Sequence, residues 1–301
     1  MRITRSGHAA VLVVSLWVAS CSKSPAAPTN GGGSGGSPPQ TGLTVSLIGV
    51  GDIGMCGRAE VAQTARLVAG LQGDVILAGD IAYFQGSAAN FRDCFEPSWG
   101  QFRSRWHPVP GNHEYESPGA APYFAYFGEA AGPAGRGYYS FMAGDWLILM
   151  LDSNIPATRG SPQWEFVRAE LARQTTPCTM AVWHHPLFSS GPNSNSPQMR
   201  DVWALLEGSR AEVVLSGHDH LYERFARQMS DGRADPVNGI RQFIAGTGGA
   251  ELYRFVRVAP NSEERIMKSG VIRFTLRPAQ VDWEFHATDG TIGDRGLDTC
   301  R

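Results

Sequence analysis

The sequence predicts an α/β fold in which two packed mixed β-sheets are flanked by helices, forming a four-layer sandwich. Short apolar runs recur along the 301-residue chain, and each is followed by Gly and polar residues, which is typical of buried strands. Helical stretches separate the earlier runs, whereas strand-like pieces with no evident helix follow residue 220. An alternating core that closes with mostly antiparallel strands favours this layered architecture.

The individual elements follow from the same patterns. Five apolar runs predict buried strands, at 43–52, 74–80, 106–114, 178–186 and 212–220. A hairpin is predicted for 138–144 and 145–152, and later strands for 241–249, 271–277 and 281–286. Helices are predicted for 59–71 and 161–174, the second with Ser161 as N-cap and Pro162 in its first turn.

The N-terminal residues 1–20 predict a signal peptide. Two arginines precede an apolar run at 9–19, which is shorter than the roughly 20 residues needed to span a bilayer. The sequence Val-Ala-Ser-Cys that ends at Cys21 resembles the lipobox of bacterial lipoproteins. We therefore expect lipid on Cys21 and a location in the bacterial cell envelope, at the outer membrane or cell surface.

A tether is predicted to follow the lipid-bearing cysteine. Residues 22–42 are rich in Pro, Gly and Ser and offer no hydrophobic face, so they are expected to remain extended. The catalytic domain is accordingly predicted for 43–301. The only membrane contact expected is the one made through the lipid.

Composition excludes several classes of function. The chain has 26 basic and 28 acidic residues, a formal net charge of -2, so binding to a nucleic-acid backbone is not expected. Only two of the basic residues are lysines, and neither lies in a P-loop motif. Residues 49–54, GVGDIG, match a dinucleotide fingerprint, but the Asp52 carboxylate would face the pyrophosphate. A nicotinamide enzyme is therefore disfavoured.

Chemically reactive side chains stand at the ends of the predicted strands. One strand followed by an aspartate is commonly a turn or a cap, but five such ends in one chain are difficult to explain by packing. Carboxylate, amide, phenolate and imidazole groups form a mixed oxygen and nitrogen ligand set that suits Fe, Zn or Mn. The residues concerned are Asp52, Asp80, Tyr83, Asn112, His113, His184, His185, His218 and His220.

Five ordered motifs resemble those of the calcineurin-like metallophosphoesterases. They are GDIG at 51–54, GDIAY at 79–83, GNHE at 111–114, HHP at 184–186 and GHDH at 217–220. The first motif has Gly54 where the superfamily more commonly has histidine. Gly54 together with Tyr83 resembles the purple acid phosphatase branch, in which a tyrosine takes that coordination position.

The resemblance implies a dinuclear phosphomonoesterase that acts on a small phosphorylated substrate with a metal-bound hydroxide as nucleophile. It implies an Fe ion held by Asp52, Asp80, Tyr83 and His220. It implies a second ion, Zn, Mn or Fe, held by Asp80, Asn112, His184 and His218. Asp80 would then bridge the two ions.

His113 and His185 each follow a predicted ligand directly, so we expect them to act on the substrate as catalytic residues. Either could stabilise the phosphate or protonate the leaving oxygen, with Glu114 orienting His113. Two alternatives stay open: a phosphodiesterase acting on nucleotides or lipid head groups, and a catalytically inactive metal-binding envelope protein.

Four cysteines remain if Cys21 carries lipid, and an oxidising compartment favours disulfides. Three pairings are possible. We favour Cys56 with Cys94, which would join two loops beside the predicted metal site. The partner pair, Cys178 with Cys300, would fasten the C-terminal tail to a central strand.

Overall fold

The computed structural model describes residues 42–193 and 195–301. The predicted signal peptide and Cys21, with almost all of the tether, lie outside the described residues, so those boundaries stay predictions. Among the helices that are described, none has the length and apolar character required for a membrane span.

The described part of the chain contains thirteen strands. They are β1 Val45–Val50, β2 Asp74–Ala78, β3 Trp106–Val109, β4 Tyr139–Ala143, β5 Trp146–Met150, β6 Cys178–Val182, β7 Val213–Ser216, β8 Tyr222–Phe225, β9 Arg241–Ala245, β10 Ser262–Ile266, β11 Gly270–Arg277, β12 Gln280–Ala287 and β13 Ile292–Thr299. The helices are α1 Ala59–Ala69, α2 Ala88–Asn90, α3 Glu96–Trp99, α4 Asn112–Tyr115, α5 Ala121–Phe127, α6 Pro162–Arg173 and α7 Arg200–Gly208.

The strands are arranged in two mixed sheets, as the sequence predicted. The six-stranded sheet has the order β13-β12-β11-β1-β2-β3, and the seven-stranded sheet has the order β10-β8-β9-β7-β6-β5-β4. Strands β1, β2 and β3 are parallel, and so are β5, β6, β7 and β9. The predicted hairpin is the antiparallel pair β4 and β5, and the C-terminal β11, β12 and β13 are antiparallel.

Three hydrophobic clusters separate four layers. The central cluster packs side chains of both sheets, such as Leu47 and Met180, against each other. A second cluster covers the outer face of the seven-stranded sheet with α6 and α7, where Trp203 is fully buried. The third packs α1 and an aromatic group that includes Trp99 onto the outer face of the six-stranded sheet. Helices on both outer faces complete the predicted sandwich.

Both favoured disulfides are present. Cys56 bonds to Cys94, and Cys178 bonds to Cys300. The first joins the turn before α1 to the short helical segment before α3. The second joins the first residue of β6, in the seven-stranded sheet, to the residue after β13, at the edge of the six-stranded sheet. It is therefore a covalent link between the two sheets.

Candidate metal centre

Polar side chains from both sheets meet at one edge of the sandwich. Asp52 and Asp80 follow β1 and β2, and Asn112 begins α4 after β3. From the other sheet, His184 follows β6, and the GHDH segment at 217–220 follows β7. The carboxyl ends of parallel strands are where α/β sheets place their ligands. All seven predicted metal ligands lie in this region.

Four of the predicted ligands surround one point. The phenol oxygen of Tyr83 lies 2.9 Å from Asp52 Oδ1, 3.3 Å from Asp80 Oδ2 and 3.0 Å from His220 Nε2. His220 Nε2 is also 3.3 Å from Asp52 Oδ1. Donor atoms about 3 Å apart can share a cation whose bonds to them are roughly 2.0–2.2 Å long. This group is the set that the resemblance assigned to Fe.

The second group shares Asp80 with the first. His184 Nε2 lies 3.1 Å from Asp80 Oδ2 and 3.2 Å from Asn112 Oδ1. The ring of His218 has its centroid 5.0 Å from that of His184. Because Asp80 Oδ2 is close to donors of both groups, the structure fits the predicted bridging position of this carboxylate.

Two of the imidazoles are oriented by backbone carbonyls. His184 Nδ1 donates a hydrogen bond of 2.8 Å to the carbonyl of Ala78, and His220 Nδ1 donates one of 2.7 Å to the carbonyl of Glu251. The carbonyls keep a proton on Nδ1, so Nε2 is the nitrogen that faces the cluster. Metal-binding histidines are commonly held in this way.

The backbone at the site is strained. Asp52, Asp80 and His218 have φ angles of 61°, 49° and 71°, in the left-handed region that residues other than glycine seldom adopt. The adjacent glycines allow close approach: a Cβ on Gly79 would lie 2.5 Å from His184 Nδ1, and one on Gly217 would lie 2.5 Å from Asp52 Oδ2. Such conformations concentrate at functional sites.

The electrostatics of the cluster favour positive charge. Burial opposes protonation of His184, but the adjacent carboxylates of Asp80 and Asp52 outweigh it and raise the pKa of His184 to about 10. Burial, with the charges of Asp52 and Asp80, raises the pKa of Tyr83 well above its usual value. A Tyr83 phenolate therefore requires a cation beside it, since a cation reverses these effects.

Exposure distinguishes two sides of the cluster. Asp52, Asp80, Tyr83, His184 and His220 are buried. Partly exposed side chains form the other side, and these are Asn112, His113, His185 and His218. The partly exposed side is the one open to a substrate, and it includes both histidines that the sequence predicted to be catalytic.

The two predicted catalytic histidines have different neighbours. His113 Nε2 lies 3.8 Å from Asp80 Oδ2, and its Nδ1 donates to the carbonyl of Phe84. His185 packs its ring 4.4 Å from that of His218, and its Nδ1 is 2.8 Å from Ser153 Oγ. Neither ring supplies one of the closest donors to Asp80, but nitrogen atoms of His184, His185 and His218 lie within 4.8 Å of one another. The structure therefore also brings His185 within reach of an ion held by His184 and His218.

The prediction that Glu114 orients His113 is wrong. The buried Glu114 carboxylate accepts four hydrogen bonds of 2.8–3.1 Å from backbone N–H groups. Three of these belong to the loop at 80–82 and the fourth to Gly111. Four convergent N–H donors bind a carboxylate more strongly than a single imidazole could. Glu114 therefore braces the loop that carries Asp80.

Sequence reasoning missed three supporting residues. The carboxylates of Asp219 and Glu223 are buried and accept hydrogen bonds from the Ser189 and Ser190 hydroxyls, so they hold the loop after β6. The Tyr253 ring stacks on His220 at a centroid distance of 4.0 Å. Asp219 lies inside the GHDH motif at 217–220 and Glu223 lies three residues after it, whereas nothing in the sequence near Tyr253 indicates its contact.

Comparison with known proteins agrees with this geometry. The model of the calcineurin-like phosphoesterase family matches residues 46–222, which include every predicted ligand. The chain belongs to this family. Its purple acid phosphatase-like character is supported by probable purple acid phosphatase 20 of Arabidopsis thaliana, 28% identical over 247 residues, covering 72% of this chain and 56% of the relative.

A second curated relative supports this conclusion, and a solved structure supports the fold. Purple acid phosphatase 22 of Arabidopsis thaliana is 28% identical over 244 residues, covering 71% of this chain and 52% of that protein. The structure of purple acid phosphatase PPD1 from yellow lupin seeds shares the fold, with a TM-score of 0.72 and 18% identity over 85% of this chain and 54% of that one. This calcineurin-like phosphoesterase thus spans about half the length of the relatives it matches.

Proposed function

We propose that the chain is a phosphomonoesterase with a dinuclear metal centre. The observation that carries the proposal is the shared position of Asp80 Oδ2, within 3.3 Å of donors from both ligand groups. Two like-charged ions held 3.5–4 Å apart need a bridging anion of this kind. The inactive alternative is disfavoured because every ligand position implied by the family motifs is filled and Tyr83 faces the cluster.

The donor set fits the two predicted metal ions. Asp52, Asp80, Tyr83 and His220 would hold one, and Asp80, Asn112, His184 and His218 would hold the other. When bound, such ions supply Lewis-acid catalysis and lower the pKa of water toward neutrality. The residues of the chain contribute the rest: Asn112, His113, His185 and His218 line the open side, where a phosphate would be oriented and where His113 could donate a proton to the leaving oxygen.

Iron is proposed for the site that contains Tyr83, because a hard anionic phenolate oxygen suits a trivalent ion. The expected sign is a visible charge-transfer band in the iron-loaded, oxidised protein that disappears in Tyr83→Phe. Both proteins should be compared at equal measured iron content. A band that survives the substitution would exclude Tyr83 as a ligand but would not contradict the phosphatase proposal.

The reaction class is tested with purified residues 43–301 and a panel of phosphoesters. We expect p-nitrophenyl phosphate to be hydrolysed with a higher kcat/KM than bis(p-nitrophenyl) phosphate, because a monoester presents more unshared phosphate oxygens to two cations. A preference for the diester would favour the phosphodiesterase alternative. Turnover of neither compound after loading with Fe and Zn would contradict the proposal.

The envelope location is a separate proposal, supported by the lipobox-like sequence that ends at Cys21 and the tether that follows it. Mass spectrometry of the full-length protein expressed in a bacterium should find an acylated Cys21 at the new N-terminus. Cys21→Ser should release the protein from the membrane fraction. An unmodified wild-type Cys21 would contradict the proposal.

A further inference from the structure

An exposed aromatic ring stands at the mouth of the proposed catalytic site. Phe84 directly follows the ligand Tyr83 and keeps 56% of its surface exposed. Its ring contacts Tyr83 and His113 edge-on, at interplanar angles of 81° and 66° and centroid distances of 5.8 and 6.2 Å. A single exposed phenylalanine needs no explanation on an ordinary surface. This one adjoins the histidine that would face the phosphate.

The loop that carries Phe84 is held in place. His113 Nδ1 donates to the Phe84 carbonyl, and Ser117 Oγ donates a bond of 2.8 Å to the Gln85 carbonyl. The N–H of Gly86 donates to the carbonyl of Ala82 at 3.0 Å. A ring displayed on a braced loop loses little conformational freedom when a ligand packs on it, which favours binding.

Phe84 also ends a continuous row of rings across the site. His113 contacts Tyr83 with a centroid distance of 4.4 Å, Tyr83 contacts His220 at 5.8 Å, and His220 stacks on Tyr253. Two proposed ligands of one ion, Tyr83 and His220, lie in this row, and Phe84 contacts the first of them directly, so the exposed ring stands beside that ion's position. The ester group attached to that phosphate would pass over or near the Phe84 ring.

We infer that the enzyme prefers phosphomonoesters whose leaving group contains a planar aromatic ring, and that Phe84 is the surface on which this ring packs. The inference rests on the function proposed above and adds the substrate class. Stacking on an aromatic side chain depends on the flat face of the ligand ring and not on its hydrogen-bonding groups. Aryl and heteroaryl esters would therefore both be preferred over alkyl esters.

The test compares selectivity rather than absolute rate, because phenolate is intrinsically the better leaving group. The ratio of kcat/KM for phenyl phosphate to that for glycerol 2-phosphate is measured in wild type, Phe84→Ala, Phe84→Leu and Phe84→Tyr. We expect the ratio to fall about tenfold in Phe84→Ala, to fall less in Phe84→Leu and to persist in Phe84→Tyr. Leu297→Ala, an exposed residue on β13, is the matched control.

Binding gives a readout that does not depend on turnover. In the metal-loaded protein, calorimetry should show that Phe84→Ala weakens phenylphosphonate about tenfold relative to methylphosphonate. Unchanged selectivity and unchanged relative affinity in Phe84→Ala would overturn the inference. Failure of wild type to hydrolyse any phosphoester would overturn the proposed function, and this inference with it, so the two failures are distinguishable.

Discussion

The two sheets contribute different chemistry to the centre. The six-stranded sheet supplies oxygen ligands, Asp52, Asp80 and Asn112, with Tyr83 from the loop after β2. Nitrogen ligands come from the seven-stranded sheet, where His184, His218 and His220 follow β6 and β7. Each proposed ion takes ligands from both sets. Neither sheet could therefore hold either ion by itself, and the packing of the two sheets is part of the site.

The groups that hold the two ligand sets in place also differ between the sheets. On the oxygen side, the Glu114 carboxylate accepts hydrogen bonds from backbone N–H groups and fixes the loop of Asp80. On the nitrogen side, backbone carbonyls accept hydrogen bonds from the imidazoles of His184 and His220. The carbonyls orient the imidazole rings themselves, whereas Glu114 fixes the backbone that carries the Asp80 side chain. Buried polar groups thus position ligands of both sets.

The largest effect is expected from Asp80→Asn, since this residue alone serves both ions. We expect both metals to be lost from the purified protein and phosphatase activity to fall below detection, a larger loss than the 10–100-fold typical of supporting residues. Asp231→Asn, in an exposed turn, is the control. Two ions and normal turnover in Asp80→Asn would exclude the bridging role.

His113→Ala should separate turnover from metal binding. We expect kcat to fall by about 10²–10⁴-fold with the metal content unchanged, because the residue faces the substrate side without belonging to either ligand group. His107→Ala, on β3, serves as the matched histidine control. Loss of metal from His113→Ala would show that this histidine belongs to the coordination set.

The disulfides test the link between the sheets. The chain-entropy relation predicts that the Cys178–Cys300 bond, which closes 122 residues, stabilises the protein about 1 kcal/mol more than Cys56–Cys94, which closes 38. Urea denaturation of the two double Cys→Ser variants measures the difference in unfolding free energy. A greater loss from the shorter loop would contradict the view that the inter-sheet link contributes more.

Glu114→Gln should weaken metal binding without abolishing it. The amide can accept fewer of the four backbone N–H bonds, so we expect metal affinity to fall by about 10–100-fold. Glu116→Gln, an exposed neighbour, should leave the affinity unchanged. Competition with a chelator provides the measurement, and equal affinities of wild type and Glu114→Gln would mean that the loop of Asp80 does not need this brace.

The sequence predicted what local patterns encode. Apolar runs that end in Gly and a polar residue located the strand ends. Glycine is required there because a Cβ at Gly79 or Gly217 would collide with a neighbouring ligand, and this requirement makes the pattern visible in the sequence. Three strands escaped prediction. Neither the polar β10, SEERI, nor β13, IGDRGLDT with two glycines, shows a hydrophobic alternation, and β8, with four residues, is too short to show one.

Long-range contacts were the harder part of the site. Tyr253 reaches His220 only because the loop after β9 returns to the cluster, a consequence of tertiary packing. Glu114 was misassigned because its sequence neighbour is His113, whereas its hydrogen-bond partners include the loop more than 30 residues earlier. Adjacency in sequence therefore placed Glu114 in the right region but assigned it the wrong partner.

The most direct test of the two-sheet centre is the metal content of wild type and His220→Ala, after loading with Fe and Zn and dialysis. We predict two ions per chain in wild type. In His220→Ala we predict loss of the iron and retention of the ion held by Asp80, Asn112, His184 and His218. A wild type that binds fewer than two ions, or a His220→Ala protein that keeps both, would contradict the account.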